Sequence, residues 1–386
     1  MEITGINRRT WAEIDIDASE RNYLVVRRAV PPGVMMCCVV KADAYGHGAI
    51  TVSRLYEKLG ADYLAVSNID EALRLRQGGI RMPILNLGFG APECAVLMSK
   101  YNITQCVYSS EYADNLSNCA VMSNVKVKVH IKLDTGMARI GFVCRPEHFE
   151  KIDDIARAAT LPGFIAEGVF THFADANSGA CGAEYTHRQF ECFTNTIQRL
   201  GNLGVKFDIR HCANSGAIFD YPEYDLDMVR AGGVLFGIAP DNRIQNLPSL
   251  EASMTLKSLI SCIKTVRSGE SVGYGRSYIA EKDMRLATVP VGYADGIDRK
   301  LPRVWISGCA APVVGRICMD QLMVCVDGID CSVGDEVIVF GGRGKAGVEK
   351  LSYELGTISY DTLCGVGHRV PRGYIKGGQL VGWNEI

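Results

Sequence analysis

One lysine stands out for its neighbours. Lys41 lies in Val40-Lys41-Ala42-Asp43-Ala44-Tyr45-Gly46-His47-Gly48, at the end of the apolar run 34–40. An amine at the C-terminal end of a buried parallel strand faces the mouth where such folds do their chemistry. Desolvation there disfavours the charged form and leaves a usable nucleophile or base. A lone lysine at a strand end usually just extends its charge to solvent. The glycine-bearing polar turn of Tyr45, Gly46, His47 and Gly48 argues instead for a ligand-holding loop, with His47 itself read as structural.

Two small-residue clusters offer backbone donors to an anion. Asn214-Ser215-Gly216 follows an expected seventh strand at 206–209, and Gly232-Gly233 opens an expected eighth at 234–236. Little side-chain bulk covers their N–H groups, as phosphate binding requires; a plain turn is the alternative for Gly232-Gly233. Tyr274 stands between Gly273 and Gly275, which suits an extruded loop, although aromatic residues in turns ordinarily pack. The 7 histidines are scattered without HxH or HxxxH spacing, so no metal site is expected. The 15 cysteines show no CxxC pair and mostly lie in apolar runs, which reads as reduced, buried thiols in a cytoplasmic protein.

The elements that must position these residues change character along the chain. Runs at 34–40, 63–67, 84–87, 104–107, 125–133, 165–171, 206–209 and 234–236 read as strands, separated by amphipathic stretches that end in Gly or Pro. Eight strand–helix pairs within about 250 residues fit an α/β (β/α)8 TIM barrel. A doubly wound open sheet fits the strand count as well. After residue 245 the runs 286–291, 304–306, 323–326 and 336–340 are short, β-branched and divided by Gly, Asp and Ser, with one helical stretch at 348–355. The expected division is therefore 1–244 and a mostly-β 245–386, with 1–17 able to pack on the β part. A length of 386 residues, 47% apolar content and net charge -2 describe an ordinary globular chain. Acids and bases are balanced, no stretch approaches the ~20 apolar residues of a membrane span, and 1–17 lacks a signal-peptide core. Neither nucleic acid nor membrane is an expected partner.

Beyond single residues, the chain resembles the alanine racemases over nearly its whole length. The resemblance rests on Val40–Gly48 of the lysine loop, Asp134-Thr135-Gly136-Met137-Ala138-Arg139-Ile140-Gly141-Phe142, Thr171-His172-Phe173, Asn214-Ser215-Gly216-Ala217, Val229-Arg230-Ala231-Gly232, Gly273-Tyr274-Gly275, Gly292-Tyr293-Ala294-Asp295-Gly296 and Gly315-Arg316-Ile317-Cys318-Met319-Asp320. It implies that Lys41 carries pyridoxal 5'-phosphate covalently. It assigns phosphate contacts to Tyr45, Ser215, the backbone of Gly232 and Gly233, and Tyr360. It places Arg230 at the pyridine nitrogen, supported by His211. Arginine donates and does not accept, so it leaves that nitrogen unprotonated, a weaker electron sink that suppresses transamination. Related barrel decarboxylases carry glutamate there.

The same resemblance implies racemisation with one base on each face of the α-carbon, Lys41 and Tyr274 of the partner subunit, within a homodimer that shares its sites. His172 is the expected neighbour of that tyrosine. Arg139 is similar to the arginine that holds the cofactor's phenolic oxygen and the substrate, and Lys132 to a lysine carbamylated in many members. Met319 and Asp320 match the backbone pair that binds substrate carboxylate, and Tyr293, Arg299 and Arg316 match a positive entrance. Two positions depart: Gly233 replaces a branched residue, and Asn177 replaces an aspartate of the entrance. The implied activity is interconversion of L- and D-alanine for peptidoglycan, since Tyr274, Tyr360 and Met319 leave room for little beyond a methyl group. A serine or broader-specificity racemase is the alternative; serine racemases of this kind often carry a membrane domain and a smaller residue at the position of Tyr360. A decarboxylase or a non-catalytic pyridoxal-phosphate carrier fits less well.

Overall fold

The computed structural model describes residues 9–145, 148–341 and 346–384. It divides into two bodies. One comprises Glu20–Ala44 and Ala49–Leu250; the other comprises residues 9–19, Tyr45–Gly48 and the described residues from Glu251 onward.

The first body is built on eight parallel strands: β1 (Met35–Val39), β2 (Tyr63–Val66), β3 (Ile84–Asn86), β4 (Ile103–Val107), β5 (Val127–Asp134), β6 (Phe164–Phe170), β7 (Ile209–His211) and β8 (Met228–Ala231). They pair in chain order from β1 to β7, and β8 pairs back onto β1. Between β7 and β8 the amide of Asp227 donates to the carbonyl of Arg210 at 3.1 Å and that of Arg230 to Ala213 at 3.0 Å, all but closing a barrel. β2, β3 and β4 are buried at every position, which is why they read as unbroken apolar runs. Between them run helices such as Ala49–Lys58 and Ile69–Gln77, the latter capped by Asn68 accepting from the amide of Glu71. The open-sheet alternative is thereby excluded.

The expected eighth strand at 234–236 is displaced. Those residues lie in a buried 3-10 turn, Gly233–Phe236, and the strand is the preceding Met228–Ala231. Burial of the turn makes it apolar, whereas the strand carries Arg230 in its middle. Gly232 and Gly233 consequently follow the eighth strand, and β7 begins where the expected run 206–209 ends.

The other body is mostly β. Its seven-stranded sheet has the order Cys309–Pro312, Arg303–Ile306, Glu336–Gly341, Met254–Leu259, Thr10–Asp15, Arg372–Lys376, Gln379–Trp383. Thr10–Asp15 alternates buried and half-buried residues, antiparallel to Met254–Leu259 and parallel to Arg372–Lys376. A three-stranded sheet joins Cys262–Val266, Met284–Val289 and Leu322–Cys325. Val266, Val272, Leu286 and Val314 pack into a small core there, next in sequence to the Tyr274 turn. Helices Val348–Leu355 and Ser359–Cys364 complete it.

Candidate active site

The barrel gathers its chemistry at one end. Lys41 lies two residues past β1, Asp134 ends β5, His172 lies two residues past β6, Ser215 follows β7 and Gly232 immediately follows β8. These are the C-terminal ends of parallel strands, where barrel active sites form.

The turn after Lys41 is strained. Ala42, Asp43, Ala44 and Tyr45 all adopt φ between 53 and 54°, a left-handed turn made without glycine. Such backbone costs roughly 1–2 kcal/mol per residue and is kept only where the surroundings impose it. Glu71 accepts from the amide of Ala42 at 2.7 Å, Asp43 from that of Ala49 at 2.7 Å, and the amide of Ala44 donates to Val40 at 2.9 Å. The turn continues into Gly46 and Gly48, both at positive φ. A Cβ on Gly46 would sit 2.5 Å from the carbonyl oxygen of Leu363, and one on Gly48 would overlap the hydroxyl of Tyr374. His47 is fully buried and its Nδ1 lies 3.0 Å from the carbonyl of Tyr45, a structural placement.

Arg230 is 4% exposed and held on several sides. Its Nη1 donates to His211 Nδ1 at 2.8 Å; its Nη2 donates to the carbonyls of Thr171 at 2.8 Å and Cys212 at 3.0 Å and lies 3.3 Å from His172 Nδ1. Burial lowers even this guanidinium to about 10. The imidazoles of His172 and His211 are pushed well below the ordinary histidine range, by desolvation first and then by the charge of Arg230. Lys132 on β5 is buried with no hydrogen-bond acceptor among the described residues at its Nζ, which lies 4.7 Å from the centre of the Phe170 ring. Desolvation, then Arg230 and Arg139, drive its amine well below the usual lysine value. Both oxygens of Asp134 are committed: Oδ1 accepts from the amides of Gly136 at 3.0 Å and Ala138 at 2.9 Å, and Oδ2 from Arg145 at 2.8 Å. That turn presents Arg139, which is exposed.

Lys41, Lys132, Arg139 and Arg230 thus bring basic groups to one strand end. Nearby, Ser215 Oγ accepts from the amide of Gly232 at 2.9 Å, and Asn214 caps the helix Ser215–Asp220 by accepting from Ala217 at 3.1 Å. Asn177 packs against Gly216, its Oδ1 buried without a hydrogen-bond partner among the described residues. A positive, donor-rich site with an orphaned buried amine fits a ligand bearing several anionic oxygens.

In the other body, the rings of Tyr45 and Tyr360 lie 5.6 Å apart. Desolvation raises both hydroxyls, Tyr360 to about 12 and Tyr45 higher still. Tyr274 is 69% exposed in a turn whose flanking Gly273 and Gly275 have φ of 75° and 69°. A side chain at Gly273 would crowd the backbone of Arg316 at 3.3 Å. Met319 and Asp320 are also exposed, and their loop is clamped by Gly292–Gly296: Tyr293 N donates to Cys318 O at 3.1 Å and Ala294 N to Met319 O at 3.0 Å. Asp295, fully buried, accepts from Arg9 and Arg369 at 2.7 Å each, and Arg369 also binds Asp320. Arg299 lies over the Tyr293 ring at 5.8 Å, and Arg316 is exposed.

Residues 14–240 match the family described as "Alanine racemase, N-terminal domain", and residues 253–374 match "Alanine racemase, C-terminal domain". The chain belongs to the alanine racemase family. It is 43% identical over 378 residues to an alanine racemase of Desulfovibrio desulfuricans, covering 97% of this chain and 100% of the relative. Among solved structures, an alanine racemase of Clostridium difficile 630 superimposes with a TM-score of 0.93 at 42% identity, covering 98% of this chain and 99% of that one. A histidine racemase from Leuconostoc mesenteroides subsp. sake shares the fold at TM-score 0.83 and 28% identity, over 96% of this chain and 99% of that one.

Sequence reasoning did not single out Asp134, Asp295, Arg369, His130 or Glu167 as site residues. Asp134 and Asp295 stand inside the quoted motifs; Arg369, His130 and Glu167 carry no local signal. Among the described residues no cluster of histidine, cysteine or carboxylate side chains suits a metal ion, and no helix is long and apolar enough to cross a membrane.

Proposed function

We propose that this chain racemises alanine as a homodimer, with pyridoxal 5'-phosphate bound at Lys41, in the cytoplasm and in supply of D-alanine for peptidoglycan. The observation that carries the reading is the basic cluster at the barrel's strand ends, where Arg230 and Lys132 are buried, Lys41 is half-buried and Lys132 has no acceptor among the described residues. A ligand with a phosphate and a phenolic oxygen supplies the missing negative charge. Ser215 and the amide of Gly233 are the proposed phosphate donors in the barrel; the amide of Gly232, which here donates to Ser215 Oγ, is assigned by resemblance, as are Tyr45 and Tyr360. When bound, the cofactor supplies an electron sink that acidifies the α-proton.

The remaining work belongs to the chain. Nζ of Lys41 takes or gives the proton on one face of the α-carbon, and Oη of Tyr274 of the partner subunit serves the other; one proton leaves and one arrives, so the reaction balances. His172 is the proposed hydrogen-bond partner of that tyrosine. Arg230 would donate to the ring nitrogen and leave it unprotonated, a weaker electron sink that would favour return of the proton to the α-carbon. Arg139 would hold the phenolic oxygen, aided by a carbamate on Lys132. The backbone of Met319 and Asp320 binds the substrate carboxylate, and Tyr293, Arg299 and Arg316 line the approach.

The histidine racemase of like fold favours a second reading, a racemase for a larger side chain. A panel of L-amino acids scored by chiral detection separates the two. Alanine is expected to turn over fastest, with no carbon dioxide released; serine or histidine turning over faster at equal concentration overturns the substrate. Borohydride treatment is expected to fix the cofactor on the Lys41 peptide; its absence there overturns the attachment.

A further inference from the structure

Four groups form one line through the barrel body. Arg230 Nη1 lies 2.8 Å from His211 Nδ1, His211 Nε2 lies 2.8 Å from His130 Nδ1, and His130 Nε2 lies 3.6 Å from Glu167 Oε1. The last contact is longer than a full hydrogen bond, and His130 Nε2 has no hydrogen-bond partner among the described residues; the Glu167 carboxylate acts on the imidazole's N–H dipole. Both imidazoles are fully buried, and desolvation holds them below the ordinary histidine range, so each carries a single proton. Arginine cannot accept, so His211 Nδ1 is bare. Its proton sits on Nε2 and is donated to His130 Nδ1. The proton of His130 therefore sits on Nε2, toward Glu167. Desolvation opposes ionisation of Glu167, but His130 and the hydroxyls of Tyr63 at 2.7 Å and Thr104 at 2.8 Å outweigh it and hold the carboxylate at about 2. A donor-only group at one end and an acceptor-only group at the other order every proton between them.

Two backbone features serve this line. The pairing of β5 with β6 shifts register, so that Val129 faces Ala166 and His130 faces Gly168, leaving Glu167 as the extra residue. Such a bulge re-aims a side chain. At the next position, a Cβ on Gly168 would come within 2.6 Å of three atoms of the His130 ring. Only glycine leaves the ring its place.

We propose that Glu167 and His130 are positioning residues for Arg230, acting through His211 to fix the proton order that keeps the guanidinium aimed as a pure donor. With the opposite tautomer, His211 would set an N–H against an N–H of Arg230 and displace it. The proposal rests on the reading of Arg230 given above.

Neutron diffraction from deuterium-exchanged, cofactor-loaded enzyme reads the protons directly. Deuterium is expected on Nε2 of His130 and His211 and on neither Nδ1; deuterium on Nδ1 of either overturns the order. Gly168→Ala and Glu167→Gln are expected to lower kcat by about tenfold, as loss of supporting groups typically does. KM for alanine should stay within about twofold, and the share of turnovers ending in transamination should rise, with Glu167→Asp restoring part of the loss. Folded variants with unchanged kcat and partition would reduce the line to packing and overturn the proposal. If Arg230→Glu leaves the partition unchanged while the neutron map keeps the order, the reading of Arg230 falls, and the positioning role with it.

Discussion

Lys132 and Arg230 face each other's charge in a buried site, and the lysine amine has no hydrogen-bond acceptor among the described residues. Two cations cannot share a desolvated site at low cost, so the amine is the one that gives up its charge. An uncharged amine is the form that captures carbon dioxide. Protein equilibrated with 13C-bicarbonate is expected to show a carbamate carbonyl resonance that Lys132→Gln abolishes. A spectrum identical in both proteins means that Lys132 stays a neutral amine.

Replacing Arg230 with glutamate reverses the charge beside His211 and His172. Racemisation is expected to fall by roughly 10²-fold or more, the scale of losing one preorganised electrostatic group. The slow side reaction that converts the cofactor to its amine form should rise, followed by its absorbance. Equal partition in both proteins would mean that the arginine does not control it.

Shared sites predict complementation. Lys41→Ala and Tyr274→Phe homodimers should each be nearly inactive, whereas mixed dimers should regain activity at the one site that holds both bases. Activity is measured after subunit exchange has been verified by mass. Proven heterodimers without activity would place both bases on one chain.

Asp225 predicts a pH-dependent stability. The residue is 2% exposed, neither carboxyl oxygen has a hydrogen-bond partner among the described residues, and burial raises its pKa from 3.8 to about 7. The folded state therefore binds this proton more tightly than the unfolded one. The stability it contributes is full below about pH 4, falls as pH rises, and is gone above about 7, a span of roughly 4 kcal/mol by linkage. Asp225→Asn is expected to raise Tm at pH 8 and to change it little near pH 4. Parallel Tm curves for the two proteins would show that the group is not titrating.

The barrel could be read from sequence largely because its strands are buried on both faces. β8 escaped that reading because Arg230 interrupts its apolar pattern, while the buried turn after it mimics a strand. Lys41, Arg139, Ser215 and Tyr274 were visible through contiguous motifs with glycine or small neighbours. The pairing of Asp295 with Arg369 spans 74 residues, and nothing local marks it. Glu167 meets His130 only because of a one-residue slip between β5 and β6, and such a slip has no signature in either strand.

Thr10–Asp15 sets a timing problem for the ribosome. Its sheet neighbours are Met254–Leu259 and Arg372–Lys376, so the strand is made first and completed last. At about 5–20 residues per second, the nearer neighbour is synthesised some 10–50 s later. Throughout that interval the nascent chain carries an unpaired edge ahead of a barrel that is itself still assembling. A chaperone bound near the N-terminus would shield it, and a fragment ending before Glu251 would carry the exposed edge permanently.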